Sequence, residues 1–141
     1  GLARYGDTRA AAAILSGLLD ACRALEHDRL PELLCGFDRE PGEPPTLYHT
    51  ACSPQAWASG AVFLLIQSVL GLAIDAATGC ARFARPTLPD ACDWIAIRGL
   101  EVRKGSVDLR LERSGDETVL RVLRGCEDVD ARIADPPVSP G

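Results

Sequence analysis

Methionine is absent from this sequence, the first residue included, and the chain opens on "GLARYGDTRAAAAILSGLLDACRAL" as though in mid-segment. We therefore expect a piece of a longer chain, and a missing secretory signal carries little weight. No Cys-x-x-Cys pair occurs. Cys22, Cys35, Cys52, Cys80, Cys92 and Cys126 are widely spaced, which argues against structural zinc and leaves no metal site or cofactor to expect. Their even number permits three disulfides, but the chain is not small enough to need them. Reduced, buried thiols in a cytoplasmic protein are the expectation. A concentrated basic patch is also missing. The formal net charge is −5, and Arg82, Arg85, Arg98, Arg103, Arg110, Arg113, Arg121 and Arg124 are spread out at strand spacing, so nucleic acid is not an expected partner. Charge is lacking altogether from Ala56 to Ile74. That run is long enough to cross a bilayer. Ser59, Gly60, Gln67 and Ser68 interrupt it, however, and no Lys or Arg anchors flank it, so no membrane partner is expected. A helix apolar all round also suits the centre of a large helical protein.

What is present reads as helices followed by strands. The chain is 47% hydrophobic and 25% charged over 141 residues, enough for one well-filled domain. Ile14, Leu15, Leu18, Leu19, Cys22 and Leu25 recur at helical spacing and predict a helix over 8–26, capped by Asp7 or Thr8 and stopped before Pro31. Gly36, Pro41, Gly42, Pro44 and Pro45 predict a long irregular loop over 36–52, and long loops are often functional. A second helix should start at Ser53 as cap with Pro54 in the first turn, and end near Leu70 before Gly71. Beyond Pro86 apolar and polar residues alternate. Val107, Leu109 and Leu111 interleave with Asp108, Arg110 and Glu112, and "ERSGDE" and Lys104-Gly105 mark turns. Three or four short antiparallel strands are expected between 93 and 124.

The stretches "GLARYG", "LPELLCGFDR", "ACSPQAWASGA" and "VLGL", in that order, resemble the C-terminal end of bacterial amylo-alpha-1,6-glucosidase-like (glycogen-debranching-type) proteins. These belong with the glycosidases built on an (α/α)6 barrel, as do glucoamylases and trehalases. The resemblance covers about residues 1–111 and is most specific over 30–37 and 51–61. It implies a mainly α fold with a small antiparallel β-segment. Residues 1–79 would form the last hairpin of the six-hairpin barrel, 80–126 the β-segment packed on it, and 127–141 a disordered tail. The upstream barrel helices of the same parent chain would then be this segment's partners.

The resemblance also implies a reaction: inverting hydrolysis of α-linked glucosyl oligosaccharides or glucans, in carbohydrate metabolism. Inversion needs one carboxylic acid to protonate the leaving oxygen and one carboxylate to activate water, roughly 6.5–9.5 Å apart. Related enzymes carry the base on a loop before the last inner helix, with a Trp near that helix's start. By that order Glu32 is the candidate general base, with Trp57 beside the sugar. Tyr48, Gln55 and Phe37 are the other candidate substrate-binding residues, and His49 is a weak one. Arg29, Arg39 or Gln55 would supply hydrogen bonds to keep Glu32 ionised. Against this stand the plain alternatives. Glu32 reads equally as a solvated loop carboxylate and Trp57 as a core residue. The chain as a whole reads alternatively as a non-catalytic carbohydrate-binding or structural module, or as a scaffold or membrane-associated piece with residues 56–74 as its anchor. The general acid is expected upstream. The 141-residue chain alone should therefore release no sugar from maltooligosaccharides, and glycoside release by the purified chain would show that both carboxyl groups lie within it.

Overall fold

In the computed structural model residues 1–38, 40 and 42–134 are described. Helix α1 spans Thr8–Arg23, and Asp7 caps it by accepting a hydrogen bond from the Ala10 N–H at 3.0 Å. It stops short of residue 26 because the chain leaves the helix at Ala24 and turns through His27 and Asp28, both at positive φ. Helix α2 spans Ala56–Leu70. Its cap is Gln55 rather than Ser53, because the Gln55 N–H donates to the Leu30 carbonyl and holds Gln55 extended. Gly71 ends α2 in the left-handed conformation.

The chain then passes directly into strand β1 (Leu72–Asp75), which forms an antiparallel hairpin with β2 (Cys80–Phe83). Hydrogen bonds from Thr78 and Ala77 hold the turn's Asp75 carboxyl below its ordinary range. Three longer strands follow as an antiparallel meander: β3 (Trp94–Val102), β4 (Gly105–Ser114) and β5 (Glu117–Arg124). Strand β6 (Asp130–Ile133) returns to the first sheet and pairs parallel with β2, Ala81 opposite Ala131. The two three-stranded sheets are therefore β1-β2-β6 and β3-β4-β5.

The core lies where the helices meet both sheets. Leu15 of α1, Val69 and Leu70 of α2, Phe83 of β2 and Val107, Leu109 and Leu111 of β4 form one buried cluster. Each such side chain contributes roughly 1.5–3 kcal/mol of burial. The two-residue period of β4 does this directly, turning Gly105, Val107, Leu109 and Leu111 inward and Ser106, Asp108, Arg110 and Glu112 outward.

The expected mainly α fold is corrected by these elements. Two helices and six strands in two sheets, among the described residues, do not make the end of an (α/α)6 barrel. The physical reason lies in two segments. Residues 72–83 pair as a hairpin straight after α2 instead of continuing helical packing, and 130–133 pairs with β2. The 79/80 boundary expected from the sequence falls in the turn of that hairpin, and residues 135–141 of the expected tail lie outside the described residues. The strands expected between 93 and 124 are three, with turns at Arg103-Lys104 and Gly115-Asp116. Among the described residues no helix is long and apolar enough to cross a membrane. Helix α2, expected to be surrounded, buries only Ala58, Val69 and Leu70.

Gly71 and Gly115 both sit at positive φ, but only Gly71 is crowded. A Cβ there would run into the Ala84 backbone, whereas one at Gly115 would meet open space. Gly115→Ala should cost about 1–2 kcal/mol, the conformational penalty alone. Gly71→Ala should cost clearly more, read as a lower urea midpoint at unchanged slope. Equal losses would refute the close approach of β2 to the α2 terminus.

Candidate functional site

The segment around Glu32 is not an irregular loop throughout. The Glu32 N–H donates to the Cys52 carbonyl at 2.8 Å, and the Cys52 N–H donates back to Glu32 Oε2 at 3.3 Å. Further along, Leu34 bridges Leu47, and the Cys35 N–H donates to the Thr46 carbonyl at 2.8 Å. On the other side the Gln55 N–H reaches the Leu30 carbonyl at 3.2 Å. Residues 30–35 and 46–55 thus run antiparallel as a wide hairpin, with Glu32 half-buried at its neck. An ionised carboxylate only accepts hydrogen bonds, so the Cys52 N–H orients one oxygen and leaves Oε1 without a donor among the described residues.

The donor to Glu32 is therefore a backbone amide twenty positions away. Neither Arg29 nor Gln55 fills that role, and Arg39 lies outside the described residues. Gln55 spends its side-chain oxygen on the Ala56 N–H at 2.9 Å, as the cap of α2. Sequence reasoning missed Cys52, and nothing in the residue types signals it, since the pairing is between main chains. The structure brings Glu32, Cys52 and Gln55 together and sets Trp57 two residues into the adjoining helix. Tyr48 lies on the same hairpin, between the Leu47 and Cys52 contacts, and Phe37 just past the Cys35–Thr46 bond.

These aromatic residues are exposed: Phe37 73%, Tyr48 50% and Trp57 62%. His49, Asp38, Glu40 and Glu43 are exposed too. Of the chain's two Trp, two Tyr and three Phe, only Phe83 is buried. Aromatic side chains carry large apolar area and are ordinarily spent on cores or interfaces. One groove of about 590 Å³ lies between Thr8, Arg9, Thr87, Arg113 and Asp116, and another of about 790 Å³ between Leu2, Ile14, Leu64 and Leu72. Neither includes Glu32, Phe37, Tyr48, Gln55 or Trp57.

A second arrangement covers the outward face of the β3-β4-β5 sheet. Trp94, Glu112 and Val119 form one row across the strands, and Ala96, Arg110 and Arg121 the next. Arg110 lies over the Trp94 ring, 4.7 Å from its centroid. Its Nε is 3.3 Å from Glu112, whose other oxygen pairs with Arg121. Asp108 takes both Nε and Nη2 of Arg124 at 3.0 Å and the Gly99 N–H at 2.7 Å. The Arg124 hydrogen bonds first, then the Gly99 amide, lower its carboxyl to about 2.

The six cysteines stand as free thiols, Cys80 buried and Cys52 exposed. Burial, and secondarily the charge of Asp28, raises the Cys22 thiol above its ordinary value. The chain matches no protein-family model, no curated protein and no solved structure.

The lowered Asp108 carboxyl links folding to pH. A group depressed in the folded state stabilises above its unfolded pKa, about 3.9, and that contribution fades as pH falls through about 2. Urea midpoints of the wild type should therefore drop more steeply than those of Asp108→Asn between about pH 4 and 2. Parallel curves would disprove the Arg124–Asp108 linkage.

Proposed function

We propose that this chain is part of a glycoside hydrolase that acts with inversion on α-linked glucosyl oligosaccharides or glucans, with Glu32 as general base. The observation that carries the proposal is the neck of the hairpin. The two stretches most similar to amylo-alpha-1,6-glucosidase-like proteins, 30–37 and 51–61, are hydrogen-bonded to one another through Glu32–Cys52 and Leu30–Gln55. Their joining holds a carboxylate with one oxygen oriented, on a surface that also presents Phe37, Tyr48 and Trp57.

In this reading water loses a proton to Glu32 as its oxygen attacks the anomeric carbon. A carboxylic acid from another part of the enzyme protonates the departing glycosidic oxygen, and the α-linked sugar leaves as the β-anomer. Trp57 and Tyr48 lie against the sugar's apolar face and Phe37 walls the loop side. Gln55 keeps its amide N–H₂ for a sugar hydroxyl, its oxygen being engaged by the helix start. The chemistry calls on protons alone and needs no cofactor. A cytoplasmic location belongs to the same proposal, supported by six unpaired thiols. A second reading, a carbohydrate-binding or structural module without catalysis, draws on the structural use of the Glu32 Oε2.

The test is Glu32→Gln in the enzyme that contains this chain, fed mixed 1,4- and 1,6-linked α-glucans and followed by proton NMR. We expect β-glucose as the first-formed anomer and a kcat lowered by about 10²–10⁴-fold, with KM changed far less. Unchanged turnover by the variant would hand the site to the binding-module reading, and an α-anomer product would rule out inversion.

A further inference from the structure

The outward face of the β3-β4-β5 sheet carries an arrangement that the base hairpin does not use. Trp94 stands on it 52% exposed, although a tryptophan on a sheet of this size is ordinarily covered. One face of its indole is already occupied by the Arg110 guanidinium. Half of the residue stays open to solvent beside that contact. On the same strand face stands Ala96, the smallest side chain of its row. Across the strands the rows present Glu112, Arg110 and Arg121, then Asp108 and Arg124, with Arg98 at the β3 bulge. Each carboxylate is shared by guanidinium groups. Glu112 lies between Arg110 and Arg121, and Asp108 holds Arg124 and feels Arg98.

The chemistry of such a face selects a particular kind of ligand. A flat, half-free indole suits an apolar ring face, as on a pyranose. The neighbouring donors and acceptors alternate at strand spacing, about 5 Å, and a hydroxyl needs both: an N–H to accept from and a carboxylate oxygen to donate to. The guanidinium groups already face carboxylates, and the chain as a whole is at −5, so a polyanion finds little uncompensated charge here. Stacking of successive bases needs more than one aromatic side chain, and Trp94 is the single one on this face.

We infer that the Trp94 face of the β3-β4-β5 sheet is a saccharide-binding platform, separate from the Glu32 hairpin, that stacks one pyranose ring of a neutral glucan on Trp94 and hydrogen-bonds its hydroxyls through Arg121 and Glu112. The choice of an α-glucan as ligand rests on the function proposed above. The geometry of the platform does not.

The test uses the 141-residue chain carrying Trp57→Phe, in which Trp94 is the sole indole. Maltoheptaose should quench or shift its fluorescence saturably. In that background Arg121→Ala should weaken the response about tenfold while leaving the emission maximum of the free protein unchanged. Adding Glu32→Gln should leave it unaffected. No response to maltoheptaose at millimolar concentration would overturn the inference, as would a response to heparin or polyuridylate in its place. A response that Arg121→Ala leaves intact would overturn the assignment of the hydroxyl contacts. Retained binding by the Glu32→Gln variant, together with full activity of the parent enzyme carrying that change, would sink the proposed base while the platform stands.

Discussion

Everything in this molecule hangs on the burial of three residues of one strand. Val107, Leu109 and Leu111 of β4 lie against Leu15 of α1, Val69 and Leu70 of α2 and Phe83 of β2, and so tie both helices and both sheets to one centre. The strand's period of two has a second consequence. With the odd positions inward, Asp108, Arg110 and Glu112 must face out, and they find Arg124, Trp94 and Arg121 on the flanking strands. Core and outer face are two readouts of one alternation. Shifting the register by a single residue would exchange them and bury three charges.

The Glu32 hairpin is built on a different principle. It contributes little to the core and is held by main-chain bonds between distant segments. Among the described residues two side chains join it across the strands: the Glu32 carboxylate accepts from the Cys52 amide and the Cys35 thiol donates to the Leu47 carbonyl. A site held this way is positioned without being packed. Its aromatic side chains stay exposed. The same holds for α2, whose outward residues Phe63 and Leu64 remain bare although the helix carries no charge to suit it to water.

Several features are legible in the residue types alone. The β3-β4-β5 meander follows from strict alternation and two turn signals, both of which are local. The α1 cap at Asp7 and the α2 stop at Gly71 follow from the chemistry of helix ends. The start of α2 does not follow. Ser53 and Pro54 carry the stronger local signal, yet a bond from Gln55 to Leu30 holds the chain extended past them. Strands β1, β2 and β6 are four residues each, too short for periodicity to distinguish from helix end or tail. The barrel expectation fails there, because a parallel pair such as β2 and β6, fifty residues apart, leaves no local trace.

Candidate residues and their meeting divide along the same line. By itself the sequence determined which groups the chain owns: Glu32 after a proline, a Gly/Pro-rich stretch, Trp57 near a helix start, and an alternating arginine-rich strand region. Only the tertiary structure decided that Glu32 is oriented by Cys52, that Gln55 is spent on a helix cap, and that Arg110 lies on Trp94. The reason is physical. Propensity, capping and periodicity act over a few residues and are written in side-chain type. Hydrogen bonds between main chains across twenty or fifty positions depend on groups that every residue carries alike.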